Sequence, residues 1–162
     1  MRYSMDDKIT NVLFAGIGGQ GIIKASDMLT EAAFRMGFDV KKSELHGMSQ
    51  RGGSVSSDVR FGKKVFSPMI PRGEADYLLA VTEDQIAVCE EYLKPSCIII
   101  KPSDFPEAIA TSKMLNTAML GKLNQYLKFP EELWIELLNQ SFKAEVAESN
   151  ITVFRDAAKK GN

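Results

Sequence analysis

A run of β-forming residues that ends abruptly in glycines, with helical periodicity starting directly after it, constrains this chain more than any other feature. Lys8 to Ala15 (KITNVLFA) reads as a strand, and Gly16-Ile17-Gly18-Gly19-Gln20-Gly21 then fits the pattern G-x-G-x-x-G. From Gly21 to Met36 the apolar residues Ile22, Ala25, Leu29, Ala32, Ala33 and Met36 recur at helical spacing, and Gly37 suits a helix stop. Strand, tight turn and helix in that order predict a βαβ start, with Phe38 to Ser43 as a second, parallel strand after a right-handed crossover. In such a turn Gly16 permits the bend, Gly18 lets backbone approach a ligand, and Gly21 lets helix and strand pack closely. The N–H groups at the helix start favour an anion. Glycines that merely make a tight turn produce the same pattern, so the loop alone names no ligand.

The rhythm then changes. His46 to Gly53 (HGMSQRGG) has no period and reads as a second glycine-rich loop. From Ser54 to Phe61 the residues alternate, with Val55, Ser57, Val59 and Phe61 on one face and Ser56, Asp58 and Arg60 on the other. Gly62-Lys63 is a turn signal, and Val65 to Met69 is expected to return as the second strand of a hairpin, with Pro68 at its edge. Tyr77 to Val81 is a further strand, and Thr82 is placed to cap a helix from Glu83 to about Leu93, with Gln85 at the capping-box position. Lys94-Pro95-Ser96 is expected to end that helix before a buried strand at Cys97 to Ile100. Lys101 to Ser112 is a connection or a short helix, followed by helices at Asn116–Leu127, Pro130–Leu138 and Ala144–Lys159. The expected architecture is one α/β domain over residues 1–162, a three-layer α/β/α sandwich. Its sheet is Rossmann-like and mostly parallel, with an inserted β-hairpin.

Several chemistries are disfavoured. A dinucleotide fold needs an acidic residue about twenty positions after the glycines. Glu44 could serve, but a loop and a hairpin follow it where another crossover helix is required. Cys89 and Cys97 are the only cysteines, too few for an iron–sulfur cluster, which takes about four ligands. No metal-ligand spacing surrounds His46, the single histidine, so a structural role leads for it. Arg51, between glycines, could present its planar fork to a phosphate or carboxylate, or pin its own loop. A net charge of -1 and a pI near 5.9 predict neither nucleic-acid nor membrane-surface binding. The opening MRYSMDDKIT lacks a signal peptide's apolar core, and the expected compartment is the cytoplasm.

Taken in order, the strand–GIGGQGI–helix opening, SELHGMSQRGGSVSSDVRFG, SPMI and GEADYLLA resemble the gamma-type subunit or domain of 2-oxoacid:ferredoxin oxidoreductases. The form HGMSQRGGSV is most similar to the indolepyruvate ferredoxin oxidoreductase beta subunit. The resemblance runs from about Val12 to Glu83 and returns in the tail FPEELWIELLNQSF…ESNITVFRDA, while Lys101 to Leu115 is shorter than is common in the family. It implies oxidative decarboxylation of a 2-oxoacid to an acyl-CoA by a heteromeric complex. Thiamine diphosphate and iron–sulfur clusters are then expected on the partner subunit, with electrons passed on to ferredoxin. It also implies that this chain holds no such cofactor, is silent alone, and reaches coenzyme A, if at all, at the interface. The residues it marks are Gly16, Gly18, Gly19, Gln20 and Gly21 in the first loop, and His46, Ser49, Gln50, Arg51, Gly52 and Gly53 in the second. Without its partner the chain has the option of a homodimer. The alternative is a shortened, non-catalytic module that binds a nucleotide or another protein.

Overall fold

The computed structural model describes residues 7–46 and 53–159. These fall into two compact units, Met1–Ile99 and Ile100–Asn162. In the first, the order is β1 (Thr10–Ile17), α1 (Ile22–Arg35), β2 (Asp39–His46), β3 (Ser54–Gly62), β4 (Ala75–Ala80) and α2 (Asp84–Cys89). A 3-10 turn at Glu90–Tyr92 then leads to β5 (Leu93–Ile100). The strands form one sheet in the order β2-β3-β1-β4-β5.

The sheet is mixed. β3 runs antiparallel to both neighbours, with Phe14 opposite Ser57 and Glu44 opposite Ser57 on the other side. β1 and β4 are parallel, with Leu13 beside Leu78. The α/β class and the antiparallel excursion match expectation, but the excursion pairs with a different strand. Val65 to Met69 is not a strand; β3 returns along β2 instead. Gly62 shows why, since a Cβ there would lie 2.9 Å from the Lys8 carbonyl oxygen. It is a glycine of close approach, not of a hairpin turn. Beyond it, the Val65 N–H donates to Asp39 at 2.8 Å, fastening that segment to the start of β2. Pro95, expected to end the helix before it, lies within β5 at the sheet edge, where a missing donor costs no ladder bond.

Alternation along the strands sets two faces. Val12, Phe14, Val59 and Phe61 are buried on the face under α1 with Ala25, Leu29, Ala32 and Ala33. There the hydroxyl of Ser57 donates to that of Ser26 at 2.9 Å, which in turn donates to the Ile23 carbonyl. The opposite face carries Leu13, Ala15, Leu78 and Ala80, packed with Ile70 and Cys89. With α1 on one face and α2 on the other, this unit has the expected three layers. Among the described residues no helix is long and apolar enough to cross a membrane.

The second unit holds a 3-10 turn (Pro102–Asp104), α3 (Glu107–Ala110), α4 (Leu115–Leu127), α5 (Glu131–Ser141) and α6 (Ala144–Lys159). Gly121 brings α4 against α6, because a Cβ there would meet the Phe154 carbonyl oxygen at 2.6 Å. Trp134 is fully buried beside Phe154 and Phe129, with ring centroids 5.2 and 6.4 Å away. Asn124 closes the turn after α4 by bonding the N–H and the carbonyl of Phe129, both at 3.0 Å.

Candidate functional site

The first glycine loop joins β1 to α1 and is built largely from its own polar atoms. The Gln20 side chain accepts the Ile17 N–H at 2.6 Å, and the Gln20 N–H donates to the Ile17 carbonyl at 3.2 Å. Gly19 and Gly21 have φ of +88° and +80°, the left-handed region where glycine carries no Cβ penalty. Gly16 is the sterically closed position: a Cβ there would sit 2.9 Å from both Gln20 Oε1 and Ile22 Cγ1. Gly18 is open, with its nearest neighbours 3.8 and 3.9 Å from such a Cβ. Close strand–helix packing is thus seen at Gly16, and Gly21 meets a left-handed backbone at the helix start. No side chain caps α1, no acidic residue occupies its first turn, and its first helical bond runs from Ala25 N–H to the Gly21 carbonyl. The N–H groups of Ile22 and Ile23 thus stand at the helix start with no intrahelical partner, a fit for an anionic group.

The second loop meets the first. The Gly18 N–H donates to the Gly53 carbonyl at 3.1 Å, so the residues that open β3 are tied to the turn that opens α1. Gly53 also has a positive φ of 71°. His46 closes β2, paired with Val55. Ser49, Gln50, Arg51 and Gly52 lie outside the described residues. Glu44 lies on a strand separated from β1 by β3, whereas a dinucleotide fold sets its second strand beside the first. Lys42 bonds both Glu44 and Asp27, joining β2 to α1. Among the described residues no three of His, Cys, Asp and Glu come together as a metal site.

The face away from α1 holds a cavity of about 70 Å³ that the sequence did not disclose. Its polar lining includes Ser56, Asp58, Gln85 and Cys89, and its apolar lining includes Ile70 and Met69. Asp58 is 7% exposed and accepts the Ile70 N–H at 2.9 Å. Burial pushes its carboxyl above the ordinary range, against the Ile70 hydrogen bond and the Arg60 charge, which pull it down. Arg60 is spent on structure, donating to Asn11 at 2.8 Å and to the Ser67 carbonyl at 2.7 Å. Burial, seconded by the Asp58 charge, pushes the Cys89 thiol up to about 11. Gln85 does not form the expected capping box. The Thr82 carbonyl accepts the Gln85 N–H at 3.1 Å, Glu83 stands at the N-cap, and the Gln85 side chain is buried in the cavity lining. The signal that could have pointed here is Asp58 itself, an acidic residue in the middle of the alternating segment Ser54–Phe61.

These features can be set beside known proteins. The family model described as pyruvate ferredoxin/flavodoxin oxidoreductase matches residues 11–106, more than half of the chain. The chain belongs to this family. The matched part holds both glycine loops, all of β1 to β5 after Thr10, and the cavity. Within the family, the chain is similar to the indolepyruvate oxidoreductase subunit IorB of Thermococcus kodakarensis, 43% identical over 55% of this chain and 44% of that one. The IorB subunit of Methanothermobacter thermautotrophicus is 43% identical over 59% and 49% respectively. The chain thus spans about half the length of these relatives. In fold it is similar to the gamma subunit of a keto/oxoacid ferredoxin oxidoreductase from Geobacter sulfurreducens, with a TM-score of 0.76 at 22% identity. That likeness covers 94% of this chain and 98% of that one, so the short segment after β5 is no departure from the fold. The 2-oxoglutarate:ferredoxin oxidoreductase of Magnetococcus marinus gives a TM-score of 0.78 at 20% identity, over 94% of this chain and 31% of that one.

Proposed function

We propose that this chain is the subunit of a 2-oxoacid:ferredoxin oxidoreductase, of the indolepyruvate type, that carries no redox cofactor and is inactive alone. In the complex a 2-oxoacid loses its carboxyl group as carbon dioxide, its acyl carbon is transferred to the coenzyme A thiol, and the electron pair leaves for ferredoxin. Thiamine diphosphate and the clusters that do this belong to the partner subunit. This chain's share is the double glycine loop. Ile22 and Ile23 N–H groups at the start of α1 offer donors to an anionic group, such as a coenzyme A phosphate, and Gln20 holds the loop that presents them. Ser49, Gln50 and Arg51 complete the rim in this reading, with His46 orienting the second loop.

The observation that supports the reading is the 3.1 Å bond from the Gly18 N–H to the Gly53 carbonyl, which ties the first glycine loop to the start of β3. The cytoplasm is the compartment this reading implies. The test is purification of a tagged chain from its native cell, followed by reconstitution. The chain should retain a partner with an iron–sulfur spectrum, and turnover of 2-oxoacid with coenzyme A and a viologen acceptor should need both. Turnover or an iron–sulfur spectrum from the pure chain would defeat the proposal. The uncapped start of α1, with its N–H groups open to an anion, supports a second reading, a non-catalytic module that binds a nucleotide or another protein. Capture of no cluster-bearing partner, with a nucleotide bound by the chain alone, would favour it.

A further inference from the structure

The cavity on the far face of the sheet has unspent hydrogen-bonding capacity. Gln85 is 6% exposed, and among the described residues its carboxamide makes no hydrogen bond. Asp58, lining the same cavity, uses one carboxylate oxygen on the Ile70 N–H, and among the described residues the cation acting on it, Arg60, makes its hydrogen bonds elsewhere. Ser56 supplies a hydroxyl two residues before Asp58, on the same face of β3. The polar end of the cavity therefore offers oxygen acceptors from three side chains, one of them a carboxylate, which selects against an anion and for a cationic donor.

The mouth is apolar. Leu45, Met69 and Val88 line it and are 46%, 51% and 46% exposed. Size narrows the occupant further. A cavity of about 150 Å³ takes a benzene ring, and this one, at about 70 Å³, takes a narrow group. A primary ammonium on an unbranched aliphatic stem meets each condition. Its three N–H donors match the three oxygen-bearing side chains, and its methylenes match the mouth. A guanidinium is wider and planar. Water or a free amine could fill the cavity but would leave Leu45, Met69 and Val88 uncovered, whereas a polypeptide covers them.

We propose that this cavity is the socket for a lysine side chain of the partner subunit, with the ammonium on Asp58 and Gln85 and the stem against Leu45, Met69 and Val88. The proposal rests on the subunit reading above. It adds a specific charged anchor on the face of the sheet away from α1.

The experiment is a titration of the reconstituted complex with wild-type chain, Asp58→Asn and Gln85→Leu, alongside thermal melts of each isolated chain. Asn can still accept the Ile70 N–H, and Leu keeps the bulk of Gln85 in the cavity lining, so both should melt near wild type. Loss of a charge-assisted hydrogen bond predicts roughly tenfold or greater weakening of subunit affinity for Asp58→Asn, and a smaller loss for Gln85→Leu. n-Butylammonium should compete with the partner for wild-type chain, and 1-butanol and butyrate should not. If wild type and both variants bind the partner equally, the socket proposal fails and the subunit reading stands. If the wild-type chain forms no complex with any cluster-bearing subunit, both fall together. If butylammonium binds the chain through Asp58 without displacing the partner, the cavity is a free-amine site and the lysine proposal is overturned. Should Asp58→Asn not fold, the affinity of Gln85→Leu decides by the same comparison.

Discussion

Under α1 every buried polar group on the sheet has a partner in reach: Ser57 bonds Ser26, and Ser26 bonds the Ile23 carbonyl. Across the sheet, on the same strand, Asp58 accepts the Ile70 N–H with one carboxylate oxygen and turns toward a cavity that Gln85 also lines. Both faces are built from the same two strands, β1 and β3, with residues alternating between them. The face under α1 is closed by a 14-residue helix. The other is covered by α2, only 6 residues long, and by the loop at Met69 and Ile70. A short cover leaves a cavity and an exposed apolar rim, and those are what an interface needs and a finished core lacks. One face of the sheet is thus a closed core, and the other carries the cavity for which the partner contact is proposed.

The sharpest way to break this comparison is to cut an apolar side chain on each face. Leu29 is 0% exposed beneath α1, and Leu29→Ala should cost about 2–5 kcal/mol. Met69 is 51% exposed at the rim of the other face, and Met69→Ala should cost under about 0.5 kcal/mol. Urea unfolding of the two variants measures both. Similar losses would mean that the second face is core too, and the distinction would be wrong.

The glycine loop comes next in size and sharpens the same contrast, since Gly16 sits on the α1 face of β1. Gly16→Val forces side-chain atoms into Ile22 and Gln20 and should cost about 1–3 kcal/mol. Gly21→Ala meets the left-handed backbone penalty, about 1–2 kcal/mol. Gly18→Val has ordinary space around its Cβ, so the melting temperature should stay near wild type while assembly with the partner suffers. Thermal melts separate the three, and a Gly18→Val that unfolds with Gly16→Val would remove the case for Gly18 as a contact position.

How far the sequence was legible follows from the range of the interactions. The strand–loop–helix start could be read because a G-x-G-x-x-G turn and a 3.6-residue period are local, and α1 begins at Ile22 directly after it. The alternation along Ser54–Phe61 could be read as well. What was not readable is which strand pairs with it, because the sequence offered a turn signal at Gly62-Lys63. That signal arose from the approach of Lys8, 54 residues earlier in the chain by number, to a glycine that needs no turn. The polar face of β3, Ser56 and Asp58, looks like a solvent face locally. It is buried only because Ile70 and α2 fold over it. Gln85 failed for the same reason: its position fits a helix cap, and only tertiary packing turns it inward. The second loop was legible through likeness alone, and Gly53 is the residue of it that the structure brings to the first loop.

A smaller effect is the alkaline response. Burial pushes the thiols of Cys89 and Cys97 from an ordinary 9.0 up to about 11 in the folded chain. Folding then favours the protonated thiol. The stability this contributes is fully present below pH 9.0, the unfolded value, and is lost as pH rises towards about 11. Unfolding free energy should therefore decline across that window, and Cys89→Ala should make the decline shallower. A wild-type curve that is flat from pH 9 to 11 would show the thiols to be better solvated than their burial implies.

The smallest expected effect is the most specific to the far face. Burial is the largest cause of the raised Cys89 thiol, and the charge of Asp58 is the second. For Cys97 the causes are burial, then Asp76, with Lys94 opposing; Asp58 is not among them. Lys94 in fact bonds Asp76 at 2.5 Å, which confines that charge to its own corner of the sheet. Asp58→Asn should thus increase the thiolate fraction of Cys89 and leave Cys97 as its internal control. Thiolate is the species that alkylates, so at pH 8 the native-state iodoacetamide rate at Cys89 should rise a few-fold in Asp58→Asn, with the rate at Cys97 unchanged. Mass spectrometry of the two peptides from one sample reads both rates, which cancels any general change in stability. The direction matters for the socket. An ammonium group seated on Asp58 neutralises the same charge, so n-butylammonium should raise the Cys89 rate in wild type and do nothing in Asp58→Asn. If Asp58→Asn speeds both cysteines equally, the variant has loosened the face as a whole, and the carboxylate is not the local charge that this picture of the cavity requires.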